Sequence, residues 1–130
     1  MPGVHAMTDV TGFGLLGHLL ELARGAGLEA QLDMASIPLL PGVEQLATDG
    51  YFTGASGRNW EAYGKDVALS AAITPAQQAL LTDPQTSGGL LVACDPASVD
   101  QVLALFAREG FEAAAVVGRT AAGAARVTVA

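Results

Sequence analysis

A chain of 130 residues, 51% hydrophobic and 15% charged, is long enough for one domain with its own core and too apolar for a disordered segment. Thirteen acidic against six basic residues leave a formal charge of −7, which excludes a duplex nucleic-acid binder, since that needs a basic face to replace phosphate counterions. The single cysteine excludes a disulfide framework and a thiolate zinc cluster, and no apolar run approaches the ~20 residues that cross a bilayer.

Met1-Pro2-Gly3 runs straight into motif residues, with no basic region followed by an apolar stretch. Such an abrupt start is what a piece of a longer chain, or the product of a split gene, would show. Residues 5–14 (HAMTDVTGFG) read as a polar, glycine-punctuated turn that leads into a helix. Leu15, Leu16, Leu19, Leu20 and Ala23 recur at helical spacing, with His18, Glu21 and Arg24 off that stripe. Gly25 and Gly27 supply the stop. Residues 28–34 alternate, Leu28, Ala30 and Leu32 against Glu29, Gln31 and Asp33, as a half-exposed strand does.

Residues 37–42 form a proline-punctuated connection and 43–48 a short helix. Residues 49–65 read as a loop, broken by Asp49-Gly50, Thr53-Gly54, Ser56-Gly57 and Tyr63-Gly64. It contains Tyr51, Phe52, Trp60 and Tyr63, so it is expected to pack down or to meet a partner surface. Thr74-Pro75-Ala76-Gln77 is a capping box with proline at the first helical position, opening a helix through Leu81. Residues 83–89 are a turn and 90–94 a buried strand ending in Cys94, which reads as a buried, inert thiol. Asp95-Pro96 then caps an amphipathic helix bearing Val99, Val102, Leu103 and Phe106, ended by Gly110. Strands at 113–118 and 126–129, joined by a turn at 120–123, would form a closing antiparallel hairpin. Helices between strands make the fold class α+β, a layered α/β domain.

Two motifs carry chemistry. In Thr8-Asp9-Val10-Thr11-Gly12-Phe13-Gly14 an aspartate between hydroxyl residues offers a hard oxygen ligand that suits Mg²⁺. Gly12 and Gly14 let the backbone approach a ligand, and a helix start behind them favours an anion. The plainer alternative is that Asp9 or Thr11 caps the helix and the glycines serve a tight turn. In Asp83-Pro84-Gln85-Thr86-Ser87-Gly88-Gly89, small hydroxyls and paired glycines can line a phosphate. It lacks the spacing and the lysine of a P-loop, and a simple turn before a strand explains it equally well.

Together the segments HAMTDVTGFGLLGH, PLLPG, Arg58-Asn59 and DPQTSGGLL closely resemble the C-terminal half of the selenophosphate synthetases (selenide, water dikinases). The resemblance runs from His5 to Arg119 and includes a closing Val116-Val117-Gly118-Arg119. It implies a mixed sheet flanked by helices, of the aminoimidazole ribonucleotide synthetase C-terminal type. Residues 1–130 would be the C-terminal domain, without the N-terminal ATP-binding domain. The full enzyme would be a cytoplasmic homodimer that uses ATP, Mg²⁺ and selenide to make selenophosphate, AMP and phosphate for selenocysteine and selenouridine synthesis. Asp9 matches the magnesium aspartate of the family's motif. Beside the resemblance, the residue types place Thr8, Thr11, Gly12, Gly14, Thr86, Ser87, Gly88 and Gly89 near the phosphates of ATP. Both turns are expected to face one cleft, because ligand sites in layered α/β sheets gather where such turns converge.

The family's lysine, its nucleotide-binding glycine segment and its selenium-handling residue belong to the other half, so no catalytic residue and no activity are expected of this chain alone. Two other readings stay open. One is a sister enzyme, a hydrogenase maturation factor or an aminoimidazole ribonucleotide synthetase. The other is a non-catalytic interaction module on the same fold.

Overall fold

The computed structural model describes residues 2–86 and 88–130. In chain order its elements are β1 (Val4–Asp9), α1 (Gly14–Ala26), β2 (Glu29–Leu32), α2 (Val43–Thr48), α3 (Gly54–Tyr63), β3 (Val67–Leu69), α4 (Pro75–Leu81), β4 (Leu90–Cys94), α5 (Val99–Arg108), β5 (Gly118–Ala121) and β6 (Val127–Val129). Short 3₁₀ turns precede β3 and α5 and follow β2.

Helix α1 organises the core because its apolar stripe is uninterrupted. Leu16 and Leu20 are fully buried, and Leu19 and Ala23 nearly so. Gly27 ends the helix in the left-handed region at φ 66°, where its N–H returns to the Ala23 carbonyl, while Gly25 lies inside the helix. The stripe packs on a four-stranded mixed sheet of order β3-β6-β2-β5. In it β6 runs parallel to both β2 and β3, and β5 antiparallel to β2. Ala30 and Leu32 on β2 and Val127 and Val129 on β6 supply the sheet's share of the core. A separate two-stranded ribbon pairs β1 with β4, with Asp9 opposite Leu90.

Helix α4 starts as its sequence requires. The Thr74 hydroxyl accepts from the Gln77 N–H at 3.1 Å, and the Gln77 side chain accepts from the Thr74 N–H at 2.9 Å. A cap of this type is worth about 1 kcal/mol.

Several expectations are corrected. Residues 4–9 form a strand, because pairing with β4 extends what reads as a turn. The expected loop at 49–65 contains α3, whose glycines and small polar residues have weak helical propensity. Tertiary contacts hold it: Ser56 and Tyr63 are buried and Trp60 packs against the core, whereas Tyr51 and Phe52 stay exposed. Strand β3 is three residues long, too short to show a period. The last strands begin at Gly118 and Val127 and form no hairpin, because β2 inserts between them and bonds to both. Asp95 caps nothing; it pairs instead with His5 Nε2 at 2.7 Å. On β4 only Leu91 is buried, Leu90 is 54% exposed, and Cys94 is half-buried.

Candidate functional site

The two motif segments, distant in sequence, are hydrogen-bonded to each other. The Val10 N–H donates to the Gly89 carbonyl at 2.9 Å, and the Gln85 N–H to the Thr11 carbonyl at 3.0 Å. Asp9, Thr11, Gly12 and Gly14 therefore meet Gly88 and Gly89 at one corner of the fold, with Thr86 next to the bonded Gln85. Ser87 lies outside the described residues. Asp9 is exposed on the ribbon face that also carries Met7, and its β4 partner Leu90 is exposed as well. Strand alternation sends Thr8 to the opposite face, where it is half-buried and its hydroxyl donates to the Asp9 carbonyl at 3.2 Å. Thr8 and Asp9 are thus not brought together as side chains.

No side chain caps α1. Its cap position is Phe13 in helical conformation, and Thr11 Oγ1 lies instead 3.0 Å from Nε2 of the buried His18. The helix-capping alternative for Asp9 and Thr11 is not what forms here. Among the motif glycines two serve the packing of chain on chain. Gly14 sits at φ 72°, and a Cβ there would come within 2.7 Å of the Thr82 carbonyl carbon. A Cβ on Gly88 would stand 2.0 Å from the Val10 carbonyl oxygen, so its close approach is to backbone. Gly12 and Gly89 differ, since a Cβ at either meets nothing within 4 Å. These two leave the backbone open to whatever occupies the corner.

Helices α3 and α4 frame that corner from behind. Tyr63 donates its hydroxyl to the Phe13 carbonyl, and burial pushes its phenol up from 10.0 to about 12. Asn59 Nδ2 reaches the carbonyls of Gly12 and Thr82, each at 2.9 Å. Ser56 Oγ donates to the Ala79 carbonyl at 2.8 Å and touches the Thr82 hydroxyl. Burial also raises the Asp83 carboxyl above its ordinary range. His18 Nδ1 stands 3.6 Å from Glu21 Oε2 and lacks a hydrogen-bond partner among the described residues.

The sequence assigns no site role to His18, Asn59 or Tyr63: the partners of Asn59 and Tyr63 are backbone carbonyls far along the chain, and the His18–Thr11 contact forms only once the turn folds back on the first helix. The Arg58-Asn59 pair in the family resemblance was the only available signal. A separate apolar groove of about 840 Å³ runs between β4, α5 and residues 110–118. It reaches Gly88 and Gly89 at one end, while Asp9 and Thr86 stand outside its lining.

The family described as "AIR synthase related protein, C-terminal domain" matches residues 1–130. The chain belongs to that family. Within it, the chain is 66% identical over 130 residues to a protein of Burkholderia cenocepacia named "Selenide, water dikinase", covering 100% of this chain and 37% of the relative. A Pseudomonas straminea protein of the same name is 64% identical over 129 residues, 99% of this chain and 36% of its own length. The chain therefore spans little more than a third of these relatives. Among solved structures, Escherichia coli HypE, a hydrogenase maturation protein, superposes with a TM-score of 0.65 at 21% identity, covering 99% of this chain and 32% of HypE. That likeness extends the AIR synthase related fold, helices on a mixed sheet, to HypE. No helix among the described residues is long and apolar enough to cross a membrane.

Proposed function

We propose that this chain is the C-terminal domain of a selenide, water dikinase, and that it contributes one wall of the site where ATP phosphorylates selenide. The observation that carries this reading is the direct hydrogen bonding of the two motif turns, which leaves the exposed carboxylate of Asp9 beside the open backbone of Gly12 and Gly89. The relatives' shared name gives selenide and water as the acceptors of a dikinase, and the family resemblance implies the products selenophosphate, AMP and phosphate.

The chain's own residues fit a Mg²⁺–triphosphate wall only in part. Among the described residues no three His, Cys, Asp or Glu side chains gather into a metal group. Asp9 would therefore give one carboxylate oxygen, with water, phosphate and the rest of the enzyme completing the six positions that Mg²⁺ demands. Mg²⁺ bound there would neutralise triphosphate charge. Thr11, oriented by His18, with the open backbone of Gly12 and Gly89 and the exposed Thr86, would face the phosphates. Gly14, by contrast, donates its N–H to the Thr11 carbonyl and Gly88 packs on Val10, so both hold the turns in place. Thr8 would act through the Asp9 backbone, given the hydrogen bond between them. The complete enzyme would be a cytoplasmic homodimer, and its lysine, nucleotide loop and selenium-handling residue would lie outside these 130 residues.

A chimera tests this directly: this chain replaces the matching 130 residues of the Burkholderia cenocepacia relative. The chimera is expected to release AMP in a selenide-dependent reaction, and the chain alone to release none. A folded chimera without selenide-dependent AMP, or a chain active by itself at a comparable rate, would sink the proposal.

A further inference from the structure

We infer that Asn59 is a positioning residue: its side-chain amide clamps the turn carrying Asp9 and Gly12 to the start of the turn carrying Gly88 and Gly89. This rests on the reading of those turns as one wall of the active site.

The geometry is specific. One nitrogen, Nδ2, lies 2.9 Å from the Gly12 carbonyl and 2.9 Å from the Thr82 carbonyl. Both partners are acceptors, so the contacting atom must be the NH₂ group, and both of its hydrogens are spent. Gly12 belongs to the first motif, and Thr82 immediately precedes Asp83 of the second. The clamp is itself held. Three and four residues away on the same helical face, Ser56 bonds to the Ala79 carbonyl and Tyr63 to the Phe13 carbonyl. Helix α3 is thereby pinned to α4 at one end and to the start of α1 at the other, with Asn59 between.

The turn needs such a clamp. No side chain caps α1, Gly12 is free of packing contacts at its Cβ position, and glycine has the most conformational freedom to lose. A short side chain with two donors on one atom meets the demand. Aspartate, of equal size, would set a carboxylate oxygen against two carbonyl oxygens.

The test uses Asn59→Ala and Asn59→Asp in the chimera, read in two ways. By amide hydrogen exchange, Val10 and Gln85, whose N–H groups hold the turns together, should exchange about tenfold or more faster in Asn59→Ala, for the loss of two hydrogen bonds. The interior amides of Leu19 and Leu20 should keep their protection. By kinetics, the apparent Mg²⁺ activation constant should rise by about tenfold, and excess Mg²⁺ should recover part of the turnover.

Asn59→Asp should be worse than Asn59→Ala on both readouts. A residue that merely fills space predicts the reverse order, and finding that order overturns the clamp. Unchanged exchange at Val10 and Gln85 in either folded variant overturns it too, as does a uniform rise that includes Leu19 and Leu20. Should the unsubstituted chimera make no selenophosphate while exchange responds as stated, the clamp stands and the proposed function fails.

Discussion

Gly88→Ala isolates the contact that joins the two motif turns. An alanine at this position meets a collision with backbone. The new Cβ would lie 2.0 Å from the Val10 oxygen, 3.0 Å from the Val10 carbonyl carbon and 2.7 Å from Gln85 Oε1. The Gln85 side chain can swing away. The Val10 carbonyl cannot, because the same residue's N–H is tied to Gly89 at 2.9 Å. Relief requires the segments to part by roughly 1 Å, which stretches both the Val10–Gly89 and the Gln85–Thr11 bonds beyond useful length. Two such bonds at about 1 kcal/mol each, with overpacking of about 1–2 kcal/mol, make a cost of about 3–4 kcal/mol. In a domain of this size that lowers Tm by about 10–15 °C. Thermal unfolding followed by circular dichroism measures it, with Gly89→Ala as the control. A Cβ on Gly89 touches nothing within 4 Å, so the control should melt within about 2 °C of the unsubstituted chain. A Gly88→Ala melt within that same 2 °C would show that the turns are not packed backbone on backbone, and would falsify the reasoning.

Three further outcomes are expected. In the chimera, Asp9→Asn should lower turnover by at least about a hundredfold while Tm stays within about 3 °C, since Asp9 is exposed and caps no helix; intact turnover at saturating Mg²⁺ would remove Asp9 from the metal site. For Tyr63, the folded pKa of about 12 exceeds the ordinary 10.0, so the neutral phenol favours the folded state. That contribution, of order 2 kcal/mol, is complete below pH 10 and lost as pH rises from 10 to 12; urea unfolding of Tyr63→Phe should show a shallower alkaline decline than the unsubstituted chain. Leu16→Ala, at a fully buried position on α1, should cost about 3–4 kcal/mol in the same unfolding assay, and a loss under 1 kcal/mol would mean that the α1–sheet contact is not the core.

Local signals in the sequence were enough for α1, β2, α2, the capped α4 and the existence of α5. Each rests on interactions within one turn or one period: the leucine stripe of α1, the alternation of Ala30 and Leu32, the Thr74–Gln77 box. The family resemblance likewise came from contiguous residues around Asp9 and Gly88. That the two turns share one corner is expected only from the way polar turns converge at one edge of a layered sheet, and the Val10–Gly89 and Gln85–Thr11 hydrogen bonds are what bring them there. Tertiary structure decided the rest. It made a helix of residues 54–63, whose glycines and polar residues have little helical tendency until Ser56, Asn59 and Tyr63 find α4 and the Gly12–Phe13 backbone. It put β2 between β5 and β6, where local reading expects a hairpin, because strand pairing is satisfied by any edge that burial brings near. It also separated the glycines, giving Gly14 and Gly88 to chain packing and leaving Gly12 and Gly89 open. A glycine's letter is the same in both cases. Only the neighbours at Cβ distance distinguish them, and those neighbours, Thr82 and Val10, come from parts of the chain that no local pattern can bring together.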